Sequence, residues 1–579
     1  MKRTPRPTRA LGRVPRRLLG GYGPLLALAV AFLLLVTLVP TVARQQIIVS
    51  TQNTGPAAST ATVVTLPPPL AAAATGRAPR PVAGAAAPLS TAAAAVAPGR
   101  PGLPTASGPC ADRRVQVVGD PYSPPCVAWP AGRDNGGATS VGVTKDTIKV
   151  SFRLPIEKID DLFGVIRQLA GDKADKVPAL TEADVKRTID DFITYFSRNF
   201  QFYGRKLQLV RWQGKGSILQ EFTGAGQEAA TADATRAAKE LKVFADISAL
   251  TPPYSDALAR QSVVNIGAPY LSQQWFTARA PYSWSPNPDC TSLAETIAEY
   301  LNKRVFGHPA DHAGPGTVGK PRKIGILAPD NPEYQQCVDA GEKVLNAAGN
   351  QAKRYSYTPD LSSFSDQANN LAAKIKQDGI TTVVLVTDPL MPLLLTSRMS
   401  QQDYYPEWIV TGTALTDYDE LGQLYDTAQW KHAFGISQLG EEQPQGASFA
   451  YAAAKSVDPN HEPAFGADWF YGFVYLLAIG IQEAGPDLTP QTFAAGMRAY
   501  PGGTGAYGTW GYPNGAYTPQ RDAREIWWEP NATSVVNHAP GRYASANVRY
   551  RPGAWPAGPA APQQLQSLAH DPSTPPEKQ

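Results

Sequence analysis

Residues 323–387 read KIGILAPDNPEYQQCVDAGEKVLNAAGNQAKRYSYTPDLSSFSDQANNLAAKIKQDGITTVVLVT. Short aliphatic runs at 323–328, 353–357 and 381–387 alternate with amphipathic stretches at 333–348 and 363–377. Runs of that length suit buried strands, and the longer stretches have helical spacing. Strand, helix, strand, helix, strand is the pattern of βαβ units on a parallel sheet.

The same alternation extends in both directions. Further strands are expected at 147–152, 207–212, 243–249, 263–268 and 408–411, and further helices at 182–200, 227–241, 254–261, 291–304 and 389–401. The later helices, 447–455, 469–484 and 490–500, follow without a matching number of strands. Two doubly wound α/β lobes joined by crossovers near Pro286 and Gly440 fit this better than one very large sheet. The expected two-lobed domain covers 141–530, with lobe 1 at about 141–286 and 440–505 and lobe 2 at about 287–439 and 506–530.

The segments before and after differ in texture. Lys2, Arg3, Arg6, Arg9, Arg13, Arg16 and Arg17 precede an uncharged stretch at 18–43, so residues 1–17 are expected to stay in the cytoplasm and the chain after Arg44 to lie outside. The stretch is long enough to span a bilayer core of about 30 Å, and Thr41-Val42-Ala43 also resembles a signal-peptidase site. A retained single-pass anchor is the preferred reading, with secretion after cleavage the alternative. Residues 44–140 are rich in Ala, Pro, Thr and Gly and read as a flexible linker, and 531–579 as a mostly disordered tail.

The formal net charge is +4, and the basic cluster before residue 18 accounts for it. No basic face remains on the folded part, which argues against nucleic-acid binding. Four cysteines in an exported chain suggest disulfides. Three pairings are possible. Cys110 with Cys126 and Cys290 with Cys337 are preferred, because the first pair brackets a Pro-rich stretch and the second lies inside one folded region.

Several stretches resemble one family. Gly142-Val143-Thr144-Lys145-Asp146-Thr147-Ile148-Lys149-Val150 is similar to the entry into the first strand of the type I periplasmic binding proteins of the leucine/isoleucine/valine-binding kind, in an actinobacterial, membrane-anchored version. Tyr203-Gly204-Arg205-Lys206 resembles that family's turn into strand two, and Gly267-Ala268-Pro269-Tyr270-Leu271-Ser272 its fourth strand end. The 323–330 run followed by Tyr334 resembles the start of its second lobe, and Phe470-Tyr471-Gly472-Phe473 its late helix. The weight of the resemblance lies in the order of these motifs. It departs from the family at Ser248-Ala249-Leu250-Thr251-Pro252-Pro253, where a Gly is usual, and at a Gly/Pro-rich insertion over 308–321.

The fold so implied binds ligands outside the carboxyl ends of the strands. By position, Ser248, Thr251 and Ser272 on the first lobe and Tyr334, Asp388 and Thr413 on the second are the ligand-binding candidates. Ser248, Thr251 and Asp388 have a plainer reading as helix N-caps. No metal site and no cofactor is expected. His308 and His312 lie in a Gly/Pro-rich loop, and Gly314–Lys320 departs from a phosphate loop because Pro321 stands where Ser or Thr is needed. Neither a Gly-x-Ser-x-Gly elbow nor a His-Glu-x-x-His helix is present, so no enzyme is expected. The implied function is an extracytoplasmic solute-binding protein that closes on an amino acid or similar small polar solute for an ABC importer permease. A sensory receptor subunit and a cell-envelope scaffold or enzyme are the alternatives.

Overall fold

The computed structural model describes residues 110–560, except 223, 224, 269, 506, 507, 513, 514, 520 and 521. The expected cytoplasmic segment, the anchor or signal at 18–43, the linker up to 109 and the tail beyond 560 lie outside the described residues. Among the described residues, no helix is long and apolar enough to cross a membrane.

Two sheets carry the chain. In the first, strands β1 (Thr147–Leu154), β2 (Lys206–Gln213), β3 (Ala245–Ala249), β4 (Val264–Gly267) and β5 (Ser283–Trp284) run in the order β2-β1-β3-β4-β5, all parallel. In the second, β6 (Ile324–Pro329), β7 (Lys353–Tyr357), β8 (Thr382–Leu385), β9 (Glu407–Val410) and β10 (Ala433–Ser437) repeat that order as β7-β6-β8-β9-β10, again parallel. The central strands β3, β4, β6, β8, β9 and β10 are buried along their whole length, as parallel strands with both faces covered must be. Each order reverses between the first and third strand of its sheet, which is where open α/β sheets hold ligands.

The helices that matter below are α1 (Ile159–Ala170), α2 (Glu182–Asn199), α3 (Cys290–Tyr300), α4 (Pro332–Ala347), α5 (Leu390–Gln401), α6 (Ala467–Ala484) and α7 (Pro490–Ala499). After the second crossover the chain returns to the first sheet. There α6, buried continuously from Phe473 to Gln482, joins Phe192 and Phe196 of α2 and Phe493 of α7 in the core of the first lobe. A two-stranded ribbon, β11 (Gly503–Gly505) and β12 (Gly508–Trp510), follows, and the chain then crosses back to the second sheet.

Three features depart from the sequence reading. Residues 531–560 do not form a disordered tail: β13 (Ala523–Thr533) pairs antiparallel with β10, and β14 (Pro540–Tyr550) pairs antiparallel with β13. Beyond it, Trp555 is buried against Tyr300 and Tyr550. Residues 110–140 are not free linker. Gln116 donates to the Asn199 carbonyl (2.8 Å), and the Asn135 amide bridges the carbonyls of Lys145 and Tyr203 (2.8 Å each). Finally, α1 lies between the strand expected at 147–152 and the helix expected at 182–200, where the sequence reading has no element. Both expected disulfides are present, Cys110–Cys126 and Cys290–Cys337. The second ties the start of α3 to α4 within the second lobe.

Helix α1 belongs to the first lobe by sequence but packs on both. Phe163 touches the cores of the two lobes, whereas Ile166, Leu169, Ala170 and Val177 join the second-lobe core alone. Just past the helix, the Lys173 ammonium donates to the carbonyls of Leu424 (3.1 Å) and Tyr425.

Candidate functional site

On the first lobe, the strand ends are organised around an arginine. Arg153, near the end of β1, is held by Glu221 through two bonds of 2.8 Å and by Asp233 at 3.2 Å, and its guanidinium lies 3.7 Å over the Tyr254 ring. All three charged side chains are buried. Burial opposes the charge on Arg153, yet Glu221 foremost among its partners holds the guanidinium above its ordinary pKa. Beside it Asp246, in β3, accepts from Ser151 (2.5 Å), Ser248 (2.7 Å) and Tyr254 (3.0 Å). Burial pushes this carboxyl up, against those hydrogen bonds.

The two candidates at this end take part in the same network. The Ser248 hydroxyl donates to Asp246 and accepts from the Arg153 backbone N–H (2.8 Å), and the Thr251 hydroxyl donates to Glu221. Ser272 lies at a different strand end. It caps the short helix Gln273–Thr277 by accepting from the Trp275 N–H (3.0 Å), and donates to Gln336 of α4 at 3.0 Å, a bond between lobes.

On the second lobe, Tyr334, Tyr357 and Asp388 come together. Asp388 accepts from the Tyr357 hydroxyl and from the N–H groups of Leu390 (2.8 Å) and Met391 (3.0 Å) at the start of α5. Burial pushes its carboxyl up while those donors oppose the shift. The Tyr334 phenol is also pushed up, chiefly by burial and then by Glu333 and Asp388, and its ring packs on the first-lobe core. Thr413 pairs with Thr411 at 2.9 Å and is not part of that cluster.

None of these six residues lines a cavity of about 120 Å³ that lies beside the crossovers. Its walls are Pro286 and Asn287 from the first crossover, Leu439 from the second, Tyr418 from the turn after β9, one face of α6, and Trp510 of β12. The rings are fixed by bonds to the protein itself. The Trp510 indole donates to the Pro286 carbonyl (3.3 Å), the Tyr122 hydroxyl to the Gly508 carbonyl (2.8 Å), and the Tyr475 hydroxyl to Asp120 (2.7 Å). Tyr418 comes from the second lobe and α6 from the first, so both lobes contribute to the wall. Burial, then Asp417, Asp468 and Glu442, push the Tyr418 phenol well up.

Sequence reasoning passed over this cavity because its residues come from distant places in the chain and follow no spacing. The one available signal is the aromatic density of 469–475, WFYGFVY, a stretch that the resemblance assigns to the family's late helix.

Among the described residues no group of His, Cys, Asp and Glu could hold a metal ion. No protein-family model matches the chain, and no curated protein matches it. Solved structures do. The solute-binding protein of an ABC transporter from R. palustris, in complex with 4-hydroxybenzoate, aligns at 13% identity and TM-score 0.50 over 72% of this chain and 98% of that one. Its counterpart from Rhodopseudomonas palustris HaA2, in complex with p-hydroxybenzoic acid, gives the same identity, TM-score and coverage. The branched-chain amino acid transporter substrate-binding protein of Streptococcus pneumoniae, in complex with isoleucine, aligns at 12% identity and TM-score 0.46, over 69% of this chain and all of that one. Two sheets of one repeated strand order, the crossovers between them and the alignments at TM-score 0.50 give this chain the fold of the type I periplasmic solute-binding proteins.

Proposed function

We propose that the protein is an extracytoplasmic solute-binding protein that captures a small polar solute, an amino acid or a similar compound, by closure of its lobes and delivers it to an ABC importer. The observation that carries this reading is the cavity beside the crossovers, walled by residues of both lobes. A site built that way changes shape when the lobes move, which couples ligand capture to closure. Two disulfides agree with an oxidising compartment outside the membrane. In this reading residues 18–43 are the anchor, no covalent chemistry is performed, and the strand ends that carry Ser248, Thr251, Ser272, Tyr334, Asp388 and Thr413 form the closing faces.

Thermal unfolding of the full chain against a panel of amino acids, short peptides, polyols and aromatic acids tests it. A ligand at a hundred times its dissociation constant adds about 2.7 kcal/mol to stability, so a binder raises the unfolding midpoint visibly. A cooperative transition that no compound in the panel moves would overturn the assignment.

A further inference from the structure

The cavity wall also says which solutes it suits, on the reading that it is the ligand site. Tyr418, Trp469, Tyr471, Tyr475 and Trp510 present aromatic surface from several directions. Its carboxylate is Asp468, exposed at the start of α6, and no Lys, Arg or His contributes to the lining. Asn287 adds an uncharged amide.

Three polar ring atoms of the wall are engaged elsewhere. The hydroxyls of Tyr122 and Tyr475 and the indole of Trp510 are donated to Gly508, Asp120 and Pro286. A bound carboxylate would find no cationic partner here and would compete with the protein for these donors. A cation has the complementary requirement. Aromatic faces carry negative quadrupole charge and attract ammonium groups, more strongly when water is excluded, and a nearby carboxylate adds Coulomb attraction.

We propose that this cavity binds a solute through an organic ammonium group, held against the aromatic wall with Asp468 as its counter-charge. By size the enclosed part of such a solute is small: an apolar protein cavity of roughly 150 Å³ takes benzene, so this one accepts a head group of about five to seven non-hydrogen atoms. Tetramethylammonium and choline are probes of that size. The ammonium of an amino acid is a compatible head group, provided its carboxylate points out of the aromatic wall.

Trp469 and Trp510 report on the site directly. The full chain in detergent is titrated with tetramethylammonium chloride and choline chloride at constant ionic strength, and tryptophan fluorescence is followed. The uncharged carbon isostere of choline (3,3-dimethylbutan-1-ol), benzoate and leucine are titrated in parallel. Choline is expected to give a saturable change and its isostere to bind at least roughly tenfold more weakly, the loss of a partly desolvated cation–π and ionic contact. Asp468→Asn should weaken choline binding by a similar factor while leaving the unfolding midpoint within a few degrees. Trp469→Leu should weaken it further.

Saturable binding of benzoate or leucine without any response to the ammonium probes overturns the ammonium assignment and leaves solute capture standing. Equal affinity for choline and its isostere overturns it as well, because shape alone would then decide. So does choline binding that neither substitution changes, which would move the site elsewhere. Silence to every probe, from protein that melts cooperatively, counts against both this assignment and the solute-binding reading.

Discussion

Arg153 shows how much one side chain can reorganise. It stands in β1 between apolar residues, where a charge is tolerated only if its counter-ions are buried with it. Glu221 and Asp233 meet that need, and Ser248, Thr251, Asp246 and Tyr254 are drawn into the same network. Replacing the arginine alone leaves two buried carboxylates without their partner. Arg153→Leu is therefore expected to lower stability by about 3–5 kcal/mol, measured by urea unfolding, and Glu221→Gln by less because the substituted amide keeps some hydrogen bonding. The isolated Arg in Ser151-Phe152-Arg153-Leu154 was visible in the sequence. Its partners were not, since Glu221 and Asp233 lie 68 and 80 residues away on separate elements. For that reason Ser248 and Thr251 could be placed at a strand end from sequence while their hydrogen-bond partners could not.

At the level of elements, legibility followed burial. The parallel strands are continuous apolar runs, and β7 falls on its expected residues, 353–357, with β6, β8 and β9 shifted by one or two positions at an end. Strand β10 went unread because its run, AFGIS, is interrupted by a glycine that the packing requires. At Gly435, with φ of +155°, a Cβ would lie 2.1 Å from the Val410 carbonyl oxygen of β9. The β13–β14 hairpin was obscured by the Pro- and Gly-rich sequence around it, although Trp527, Trp528 and Tyr543 were there to bury. The Cys290–Cys337 bridge is a property of the α3–α4 pair. It closes a loop 47 residues long in sequence and limits the unfolded chain accordingly. The double substitution Cys290→Ser with Cys337→Ser should cost about 4 kcal/mol, seen as a lower denaturant midpoint, and reductant, which opens Cys110–Cys126 as well, should lower the wild-type midpoint further.

Over the whole molecule, the second crossover is bound tightly to the second lobe. Arg524 and Arg549 donate to the carbonyls of Gln438, Leu439 and Gly440, while Asp419 and Glu420 lie buried and Glu442 half-buried nearby. Burial above all pushes Glu420 from an ordinary 4.5 to about 7, and Asp419 and Glu442 shift the same way. A carboxyl whose folded pKa exceeds its unfolded one keeps its proton in the folded state where the unfolded chain has released it. The folded state is thus favoured most below that window, and the advantage disappears as pH rises from about 4.5 through about 7. Glu420→Gln should flatten this part of the stability curve and raise the unfolding midpoint above pH 7 relative to wild type, which calorimetry across a pH series will show.

Helix α1 changes what opening the lobes entails. Phe163, Ile166, Leu169, Ala170 and Val177 are covered by the second lobe although their chain segment belongs to the first. A hinge motion that separated the lobes with α1 following its own lobe would wet those side chains, so the open form would have a larger heat capacity than the closed one. Capture of a solute would then carry a negative heat-capacity change greater than the solute's own apolar surface accounts for, and the open–closed balance would vary with temperature even in the absence of ligand.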